Sequence, residues 1–489
     1  MSLFKFQRIL LIIIILFLIP FSLNSQRLDG ETNKKYSEYL EKYFQNKRIP
    51  SISAGVFKDG NIQWLDSKGM IDLETLTPAK PSALYRIASI TKAITAVAVI
   101  QLYERRIIDL DADITSYVTY FPKKKWKISV RQLLNHTSGI RSYKNEDEFN
   151  SKMFYSSLKD AVMTFAKDDL MFEPGTNYNY TSLGYSLLAA LIENVTRMSF
   201  EDYLIENIFN PAGMKNTRVD KQREIILERV KGYEKSPDRK FVNAPLTDLS
   251  IKIAGGGLIS NCEDILLFTK ALLEEKLISN ESLKLMTSPT ILKNGKRYDY
   301  GLGFSLSSAN DSIIYFGHYG RGTGFTTGFL VEPLTKTAVV FLINVRDRNL
   351  QDPARDLILI SKGYDIKEPL KTLSDYLFDK YNKGGIDSSI SALFQLLSND
   401  LKTEYNLSEQ EYAYFGQELT DLRYTSDAIR FLRMLNRTFP NSFTILKTLA
   451  IAYYRDGNNG LALRYFREAQ LLKSDDKYVN RMINILSGK

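Results

Sequence analysis

The sequence predicts an α/β protein, with an antiparallel sheet flanked by helices and a separate all-α region near its C-terminal end. An apolar run over residues 84–104 has the composition of a helix buried on all sides. Residues 299–346 have the composition of consecutive antiparallel strands, with turns at 309–311 and 333–336. Beyond about residue 370 the pattern is helical and repeats internally. These stretches define the predicted architecture.

Length and composition indicate a globular protein of two domains, or of one large domain with an appendage. The chain has 489 residues, which exceeds one ordinary domain, and 44% of them are hydrophobic. Its net charge of +9 is modest for this length, and no nucleic-acid motif accompanies it. The densest basic run, 123–127, is interpreted as a solvated loop, with contact to an anionic cell envelope as the alternative.

The first residues have the pattern of a secretory signal peptide. Lys5 and Arg8 precede an apolar core that begins at Ile9 and is interrupted by Pro20. We expect cleavage near Ser25, with an uncleaved membrane anchor as the alternative. The predicted product is therefore exported, either periplasmic or extracellular. The predicted domains are 1–25 as signal peptide, 26–365 as the first globular domain and 370–489 as the helical domain.

Cysteine and histidine usage limits the chemistry. Cys262 is the only cysteine, so the chain has no intramolecular disulfide. His136 and His318 are the only histidines, and neither has a partner at metal-ligand spacing. We therefore expect neither a metal nor a cofactor. His136 lies in a turn at the end of a helix and is interpreted as structural.

The segments around residue 84 follow in order. Before it, Asp59-Gly60 joins two β-patterned runs and predicts a hairpin. After it, residues 109–285 are predicted to be mostly helical. Within them, three glycines precede Ser260, with Glu263 three positions later, a pattern that predicts a helix capping box. The glycines are accordingly interpreted as structural rather than phosphate-binding.

Ser89 and Lys92 carry the first sign of chemistry. Residues three apart on a helix share one face, so the lysine amine can lie beside the serine hydroxyl. Serine needs an adjacent base to act as a nucleophile, and a helix N-terminus stabilises developing negative charge. The alternative is that the serine caps the helix while Lys92 reaches solvent. A buried helix that carries a lysine needs a reason, and two further motifs decide between these interpretations.

Two further motifs follow Ser89-Ile-Thr-Lys92 in order, Tyr180 after "EPGTNYN" and His318-Tyr319-Gly320. With "LLNHTSGI", "EPGTNYNYTSLGYSLL", "YGLGF" and "GHYGRGTGF", residues 30 to about 350 resemble the serine β-lactamase-like hydrolases. The nearest patterns are those of class C β-lactamases, D-amino-acid peptidases and β-lactamase-fold esterases. The resemblance implies a β-lactamase-like antiparallel sheet with flanking helices and a mostly helical insertion.

The resemblance also implies roles for individual residues. Ser89 would be the nucleophile, Lys92 would ease its deprotonation, and Tyr180 would be the base. The backbone N–H groups of Ser89 and Arg321 would form the oxyanion hole. The implied substrate-binding residues are Ser182, His318, Tyr319 and Gly320. Because tyrosine has an ordinary pKa of about 10, we expect Lys92 to depress the pKa of Tyr180.

Two departures from the family pattern bear on the substrate. Ser182 stands where the tyrosine motif usually ends in asparagine, and a hydroxyl reaches less far than an amide. His318 stands where the third motif usually begins with lysine, which removes a constant positive charge. Both changes favour a peptidase or esterase over an antibiotic hydrolase.

The C-terminal region repeats. Residues 409–442 align with 443–476 at an offset of 34 residues, matching Phe415 with Leu449 and Ala428 with Ala462. This pattern resembles the tetratricopeptide repeat, a helix-pair unit that often binds proteins. The alternative is a plain helical cap on the catalytic domain.

The predicted function is an exported serine hydrolase that forms an acyl-enzyme on Ser89. Its substrate would be a small ester, a D-amino-acid peptide or a cell-wall fragment. Within the same class, a penicillin-binding D,D-peptidase or a β-lactamase remains open. The alternative from another class is a catalytically idle envelope scaffold, whose repeat region, 370–489, would recruit a protein partner.

Overall fold

The structure is a computed structural model of the chain. It describes residues 30–488 apart from 237, 311, 348, 349 and 351. The predicted signal peptide lies outside the described residues. No helix within the described ranges is long and apolar enough to cross a lipid bilayer.

A seven-stranded antiparallel sheet forms the centre of the first domain, as predicted. Its strands are β1 Ser51–Lys58, β2 Asn61–Asp72, β3 Thr77–Pro78, β11 Ser305–Ala309, β12 Ser312–Gly322, β13 Phe325–Glu332 and β14 Thr337–Ile343. In space they follow the order β11-β12-β13-β14-β1-β2-β3. Short strands lie outside it: β4 Tyr85–Arg86, β5 Arg218–Val219, β6 Tyr233–Lys235, β7 Phe241–Asn243, β8 Leu258–Ser260, β9 Thr290–Ile291 and β10 Arg297–Tyr298.

Helices surround this sheet and fill the segment between β4 and β11. In the first domain they are α1 30–47, α2 Ile90–Glu104, α3 Val130–Leu134, α4 Glu146–Phe149, α5 Leu158–Ala166, α6 Leu183–Thr196, α7 Phe200–Leu204, α8 Asn210–Ala212, α9 Ile253–Gly256, α10 Cys262–Leu273, α11 Asn280–Met286 and α12 Pro353–Ser361. The C-terminal region contains α13 Leu373–Leu397, α14 Glu409–Asp421, α15 Thr425–Thr438, α16 Phe443–Arg455, α17 Asn459–Leu472 and α18 Lys477–Leu486.

The predicted hairpin joins β1 and β2. Lys58 pairs with Asn61, and the two turn residues Asp59 and Gly60 have φ of 51° and 79°. Positive φ at both central positions is the geometry that Asp-Gly favours, and it matches the twist of the flanking strands. The turn chemistry therefore determines the register of the first two strands.

Both faces of the sheet are buried. Successive side chains on a strand point to opposite faces, so neighbouring residues enter different cores. On β14, Val340 packs into the core that contains α2, whereas Val339 packs into a core against α1 and α12. This arrangement leaves α2 in the interior of the domain. Every residue of α2 from Ile90 to Leu102 is buried, which confirms the prediction for this helix.

The C-terminal helices have a hydrophobic core of their own. α14 and α16 begin at Glu409 and Phe443, and α15 and α17 begin at Thr425 and Asn459, so each helix recurs after 34 residues. At Gly416 a Cβ would lie 2.6 Å from a methyl carbon of Leu432, so α14 approaches α15 closely there. The region is helical as predicted; its identity as a tetratricopeptide module stays a prediction.

Buried charges join the two regions. Lys235 on β6 lies 2.9 Å from Asp375 of α13 and 3.2 Å from Asp347. Arg239 follows in the next turn, where it pairs with Glu418 of α14 and lies 3.5 Å from Asp375. Its guanidinium also stacks on the ring of Phe378 at 3.9 Å. The first domain therefore holds the first helices of the C-terminal region through paired, mostly buried side chains.

Candidate active site

Ser89 occupies the position before α2, where a serine often caps a helix. Here its hydroxyl makes no capping hydrogen bond to the backbone of α2, so the alternative interpretation of a capping serine is wrong. The preceding residue, Ala88, has φ of 46°, a left-handed conformation that costs free energy for a residue with a Cβ. Such backbone strain is common beside reactive side chains. The local fold presents the hydroxyl to a cleft instead of to the helix.

Lys92 does not reach solvent; its exposed fraction is 0%. Its amine nitrogen lies 3.1 Å from Ser89 Oγ, 2.9 Å from Ser182 Oγ and 2.6 Å from the carbonyl oxygen of Gly255. Within the part of the chain that the structure describes, Lys92 forms no salt bridge. The amine is therefore placed by three oxygen atoms and by no opposite charge.

This environment determines the protonation of Lys92. Burial holds the pKa of Lys92 well below its ordinary value, and the positive charge of Lys252 acts in the same direction. A neutral amine has two N–H donors and one lone pair. With the N–H groups directed to Gly255 and Ser182, the lone pair is left for the Ser89 hydroxyl. The geometry therefore suits Lys92 as the base that accepts the serine proton.

Tyr180 lies on the other side of the serine. Its ring centre is 4.8 Å from the Lys92 nitrogen, and the nearby Ser89 hydroxyl acts to lower the pKa of Tyr180. Tyr180 is 36% exposed, but its hydroxyl end is buried. This burial raises the pKa of Tyr180 well above its usual range. The expectation that Lys92 depresses this pKa is wrong, since a neutral amine cannot stabilise a phenolate. Tyr180 is placed to donate a proton rather than to accept one.

His136 packs against Tyr180 and holds the backbone on either side of it. It is fully buried, its Nδ1 accepts a hydrogen bond from the Thr181 N–H at 3.3 Å, and its carbonyl accepts from the Asn179 N–H at 2.9 Å. The ring centres of His136 and Tyr180 are 4.3 Å apart. Burial keeps the pKa of His136 well below its ordinary value, so the ring is neutral. This supports the structural role predicted for His136.

Ser182, the residue in place of asparagine, is in direct contact with Lys92 as noted above. It precedes α6, which begins at Leu183. A Cβ at Gly255 would lie 2.8 Å from the Ser182 Cβ, so only glycine allows this approach of α9. Gly255 thus brings both its own carbonyl and the Ser182 hydroxyl to the lysine.

The third motif differs from the prediction. His318 is buried, its Nδ1 donates to the carbonyl of Tyr319 at 2.7 Å, and its Nε2 accepts from the hydroxyl of Tyr300 at 3.0 Å. Burial lowers the pKa of His318 to about 3, so it carries no charge. Tyr319 points to the opposite face of β12 and donates to Asp352 at 2.5 Å. Neither side chain is placed to bind substrate, contrary to the expectation.

Gly320 allows close packing of the backbone rather than contact with a ligand. A Cβ there would lie 2.2 Å from Thr327 Oγ1 and 2.6 Å from the carbonyl oxygen of Ile87. The glycine therefore lets β12 approach the segment that leads into Ser89. Ser89 and Arg321 line the same cleft, as the predicted oxyanion hole requires. That their backbone N–H groups form this hole stays a prediction.

Three groups in the site were missed by sequence reasoning: the Gly255 carbonyl, Lys252 and Tyr143. The last two line the cleft together with Ser89 and Ser182.

The predicted capping box is wrong, because the side chain of Asn261 caps α10 while Ser260 ends β8 and pairs with Thr217. The glycine run itself was the available signal, since it marked a close approach of backbone.

Comparison with known proteins places the chain. Residues 36–361 match the Beta-lactamase family. The human protein "Serine beta-lactamase-like protein LACTB, mitochondrial" is 30% identical over 377 residues, which are 58% of this chain and 69% of that protein. "Penicillin-binding protein 4*" of Bacillus subtilis (strain 168) is 28% identical over 436 residues, covering 83% of this chain and 93% of that protein.

A solved structure agrees with these relatives. The D-stereospecific amidohydrolase from Streptomyces sp. is 25% identical, with a TM-score of 0.54, over 65% of this chain and 97% of its own. The match covers nearly the whole of that enzyme. The predicted β-lactamase-like fold is confirmed.

Proposed function

This chain belongs to the beta-lactamase family of serine hydrolases, and from that premise we propose that it hydrolyses small esters or amides through an acyl-enzyme on Ser89. One observation carries the proposal: the buried Lys92 amine lies between Ser89, Ser182 and the Gly255 carbonyl with no salt bridge among the described residues. A scaffold has no physical need for a buried, unpaired lysine beside a serine hydroxyl.

The reaction follows from the contacts. Lys92, as the neutral amine, accepts the Ser89 proton while Oγ attacks the carbonyl carbon of the substrate. Backbone N–H groups of Ser89 and Arg321 would stabilise the negative charge that develops on the carbonyl oxygen. Tyr180, which is protonated, donates to the leaving oxygen or nitrogen as the bond breaks. Water then cleaves the acyl-enzyme by the reverse sequence of proton transfers.

The substrate class is proposed from the relatives and from the site. Among the proteins similar to this chain is a D-stereospecific amidohydrolase, which supports an ester or D-amino-acid amide as substrate. Ser182 and the neutral His318 replace the amide and the lysine of the family pattern, which argues against a β-lactamase. A penicillin-binding D,D-peptidase is the second option, because a penicillin-binding protein covers 83% of the chain.

We also propose that the protein is exported, because the signal-peptide pattern over 1–25 supports a periplasmic or extracellular location. The helical region 370–489 would then be available to a protein partner in the envelope. The alternative of a catalytically idle scaffold relies on this region alone.

Intact-mass spectrometry tests the proposal. The wild-type protein and Ser89→Ala are each exposed to a fluorophosphonate, a penicillin and a short-chain aryl ester. We expect a fluorophosphonate adduct on the wild type only, and turnover of the ester by the wild type only. A stable penicillin adduct would favour the D,D-peptidase, and its rapid release would favour a β-lactamase. No adduct with any reagent would favour the scaffold.

A further inference from the structure

Lys252 is a second buried lysine in the cleft. It precedes α9, its exposed fraction is 5%, and it lines the cleft together with Ser89, Ser182 and Tyr143. Its amine donates to the carbonyl oxygen of Phe149 and lies 4.0 Å from the centre of that ring. Across the described part of the chain, no carboxylate forms a salt bridge with it.

Burying a cation without a counter-ion is costly, so such a group in a cleft is a candidate for binding a ligand of opposite charge. The other cations near Lys252 are already paired. Arg86 binds the buried Asp220 at 2.6 Å, and Arg346 binds Glu146 at 3.0 Å. Lys252 therefore keeps capacity for an anion, in a cleft that Arg321 also lines.

The third motif cannot supply this charge. His318 is neutral and buried, with both ring nitrogens engaged, as described above. Lys92 has its own three oxygen contacts and is required as a neutral amine. Lys252 can thus supply the positive charge expected beside the substrate, on the wall of the cleft that contains Phe149 and the start of α9.

We propose that Lys252 binds a carboxylate of the substrate, so that the enzyme prefers acyl substrates that carry a negative charge close to the scissile bond. This rests on the proposed hydrolase function and assigns its substrate class. The carboxylate lies on the acyl part or on the leaving group. In both cases the lysine exchanges its contact with the Phe149 carbonyl for a charged hydrogen bond.

Two pairs of esters distinguish these sources. The acyl-side pair is 4-nitrophenyl hexanoate and 4-nitrophenyl hydrogen adipate, which have equal chain lengths and differ by the terminal carboxylate. The leaving-group pair consists of the butyrate esters of 4-hydroxybenzamide and 4-hydroxybenzoate. For each pair the measured quantity is the ratio of kcat/KM for the anionic ester to kcat/KM for the neutral one. Wild type, Lys252→Met and Lys252→Arg are compared.

Lys124 offers a matched control. It also donates to backbone carbonyls, those of Ala166 and Asp168, and lies 5.5 Å from the centre of a phenylalanine ring, that of Phe121. It is not among the residues that line the cleft. We expect Lys252→Met to lower the ratio at least tenfold in one pair, Lys252→Arg to keep most of it, and Lys124→Met to leave it at the wild-type value.

Two outcomes overturn the inference. In the first, the wild type shows no preference for the anionic ester in either pair. In the second, Lys252→Met leaves the ratio unchanged, including the case in which both ester rates fall equally because the lysine only supports Phe149. Failure of the proposed function is different, since it gives no turnover of any ester and no adduct on Ser89. In that case the melting temperature tests the inference. We expect adipate, but not 1,6-hexanediol, to raise the melting temperature of the wild type and to leave that of Lys252→Met unchanged. Any other result contradicts the inference.

Discussion

The Lys92 amine nitrogen lies 2.6 Å from the carbonyl oxygen of Gly255, closer than to either serine hydroxyl that it contacts. A carbonyl oxygen can only accept, so one N–H of the lysine is committed to it. This commitment orients the remaining hydrogen and the lone pair toward the two hydroxyls. The base is thus positioned by a main-chain atom of α9, a helix that is distant in sequence from α2.

Removal of the nucleophile tests the assignment of Ser89. We expect Ser89→Ala to lower kcat on the order of 10⁴-fold or more and to abolish the fluorophosphonate adduct. The fold should be unchanged, because the hydroxyl does not cap α2. Ester turnover and circular dichroism measure the two effects. Turnover near the wild-type level would refute the acyl-enzyme on Ser89.

Removal of the base has opposite effects on rate and stability. Lys92→Met should lower kcat roughly 10²–10⁴-fold, the usual contribution of a general base. It should also leave the melting temperature equal or higher, because it removes a buried, unpaired amine. Stopped assays and thermal unfolding measure both, with Lys124→Met as a control. A strong loss of stability would instead assign Lys92 a structural role.

The preference for anionic esters should depend on pH. Burial lowers the pKa of Lys252 to about 7, with Arg86 and Arg346 acting in the same direction and Glu146 against them. A lysine is charged below its pKa, so the ratio of anionic to neutral ester turnover should fall as the pH rises through about 7. The ring of Tyr143, 5.3 Å away, and Lys92 also face this amine.

A ratio of two esters is the right measure, because any change in Lys92 protonation affects both substrates alike. The Lys252→Met variant should show a ratio independent of pH over the same interval. A pH-dependent ratio in that variant would show that another group is responsible.

The approach of β12 to Ser89 can be disturbed at one glycine. A Cβ at Gly320 would collide with Thr327 and with the carbonyl of Ile87, so Gly320→Ala must move the strand or the segment before the nucleophile. We expect kcat to fall on the order of 10²-fold, since small displacements of catalytic groups have effects of this size. Gly30→Ala is the control, because a Cβ there meets nothing within 4 Å. Equal activity of the two variants would contradict the prediction.

The contact between the two regions depends on Arg239. Arg239→Met leaves the partly buried Glu418 without its partner, which should destabilise the protein by about 3 kcal/mol. Among the described residues the exposed neighbour Lys240 pairs with the exposed Asp238, so Lys240→Met should leave the urea midpoint unchanged. Urea unfolding of both variants measures the difference. Equal midpoints would show that the buried pair does not stabilise the interface.

Local patterns predicted much of this structure. The Asp59-Gly60 turn, the buried helix after Ser89 and the 34-residue recurrence of helices each depend on neighbours in sequence, which the printed sequence contains. The grouping of Ser89, Lys92, Tyr180 and Ser182 was also predicted, because their motifs occur in the family order. Such features need no knowledge of the surrounding packing.

The remaining features depend on packing between distant segments. The neutral state of His318 follows from its burial beneath Tyr300, and the raised pKa of Tyr180 follows from the burial of its hydroxyl. Lys252 lines the cleft because the residue before α9 lies beside Phe149, the last residue of α4. Residue types alone give no such burial, so the charge on these groups was assigned wrongly or not at all.

One consequence of the Gly255 contact concerns genetics. The oxygen that orients Lys92 belongs to the main chain, so every amino-acid replacement at position 255 retains it. A deep mutational scan would report Gly255 as intolerant, but the defect would come from the collision of the new side chain with Ser182. The electrostatic contribution of the carbonyl would stay invisible to such a library. Only replacement of the peptide bond after residue 255 by chemical synthesis would reveal it.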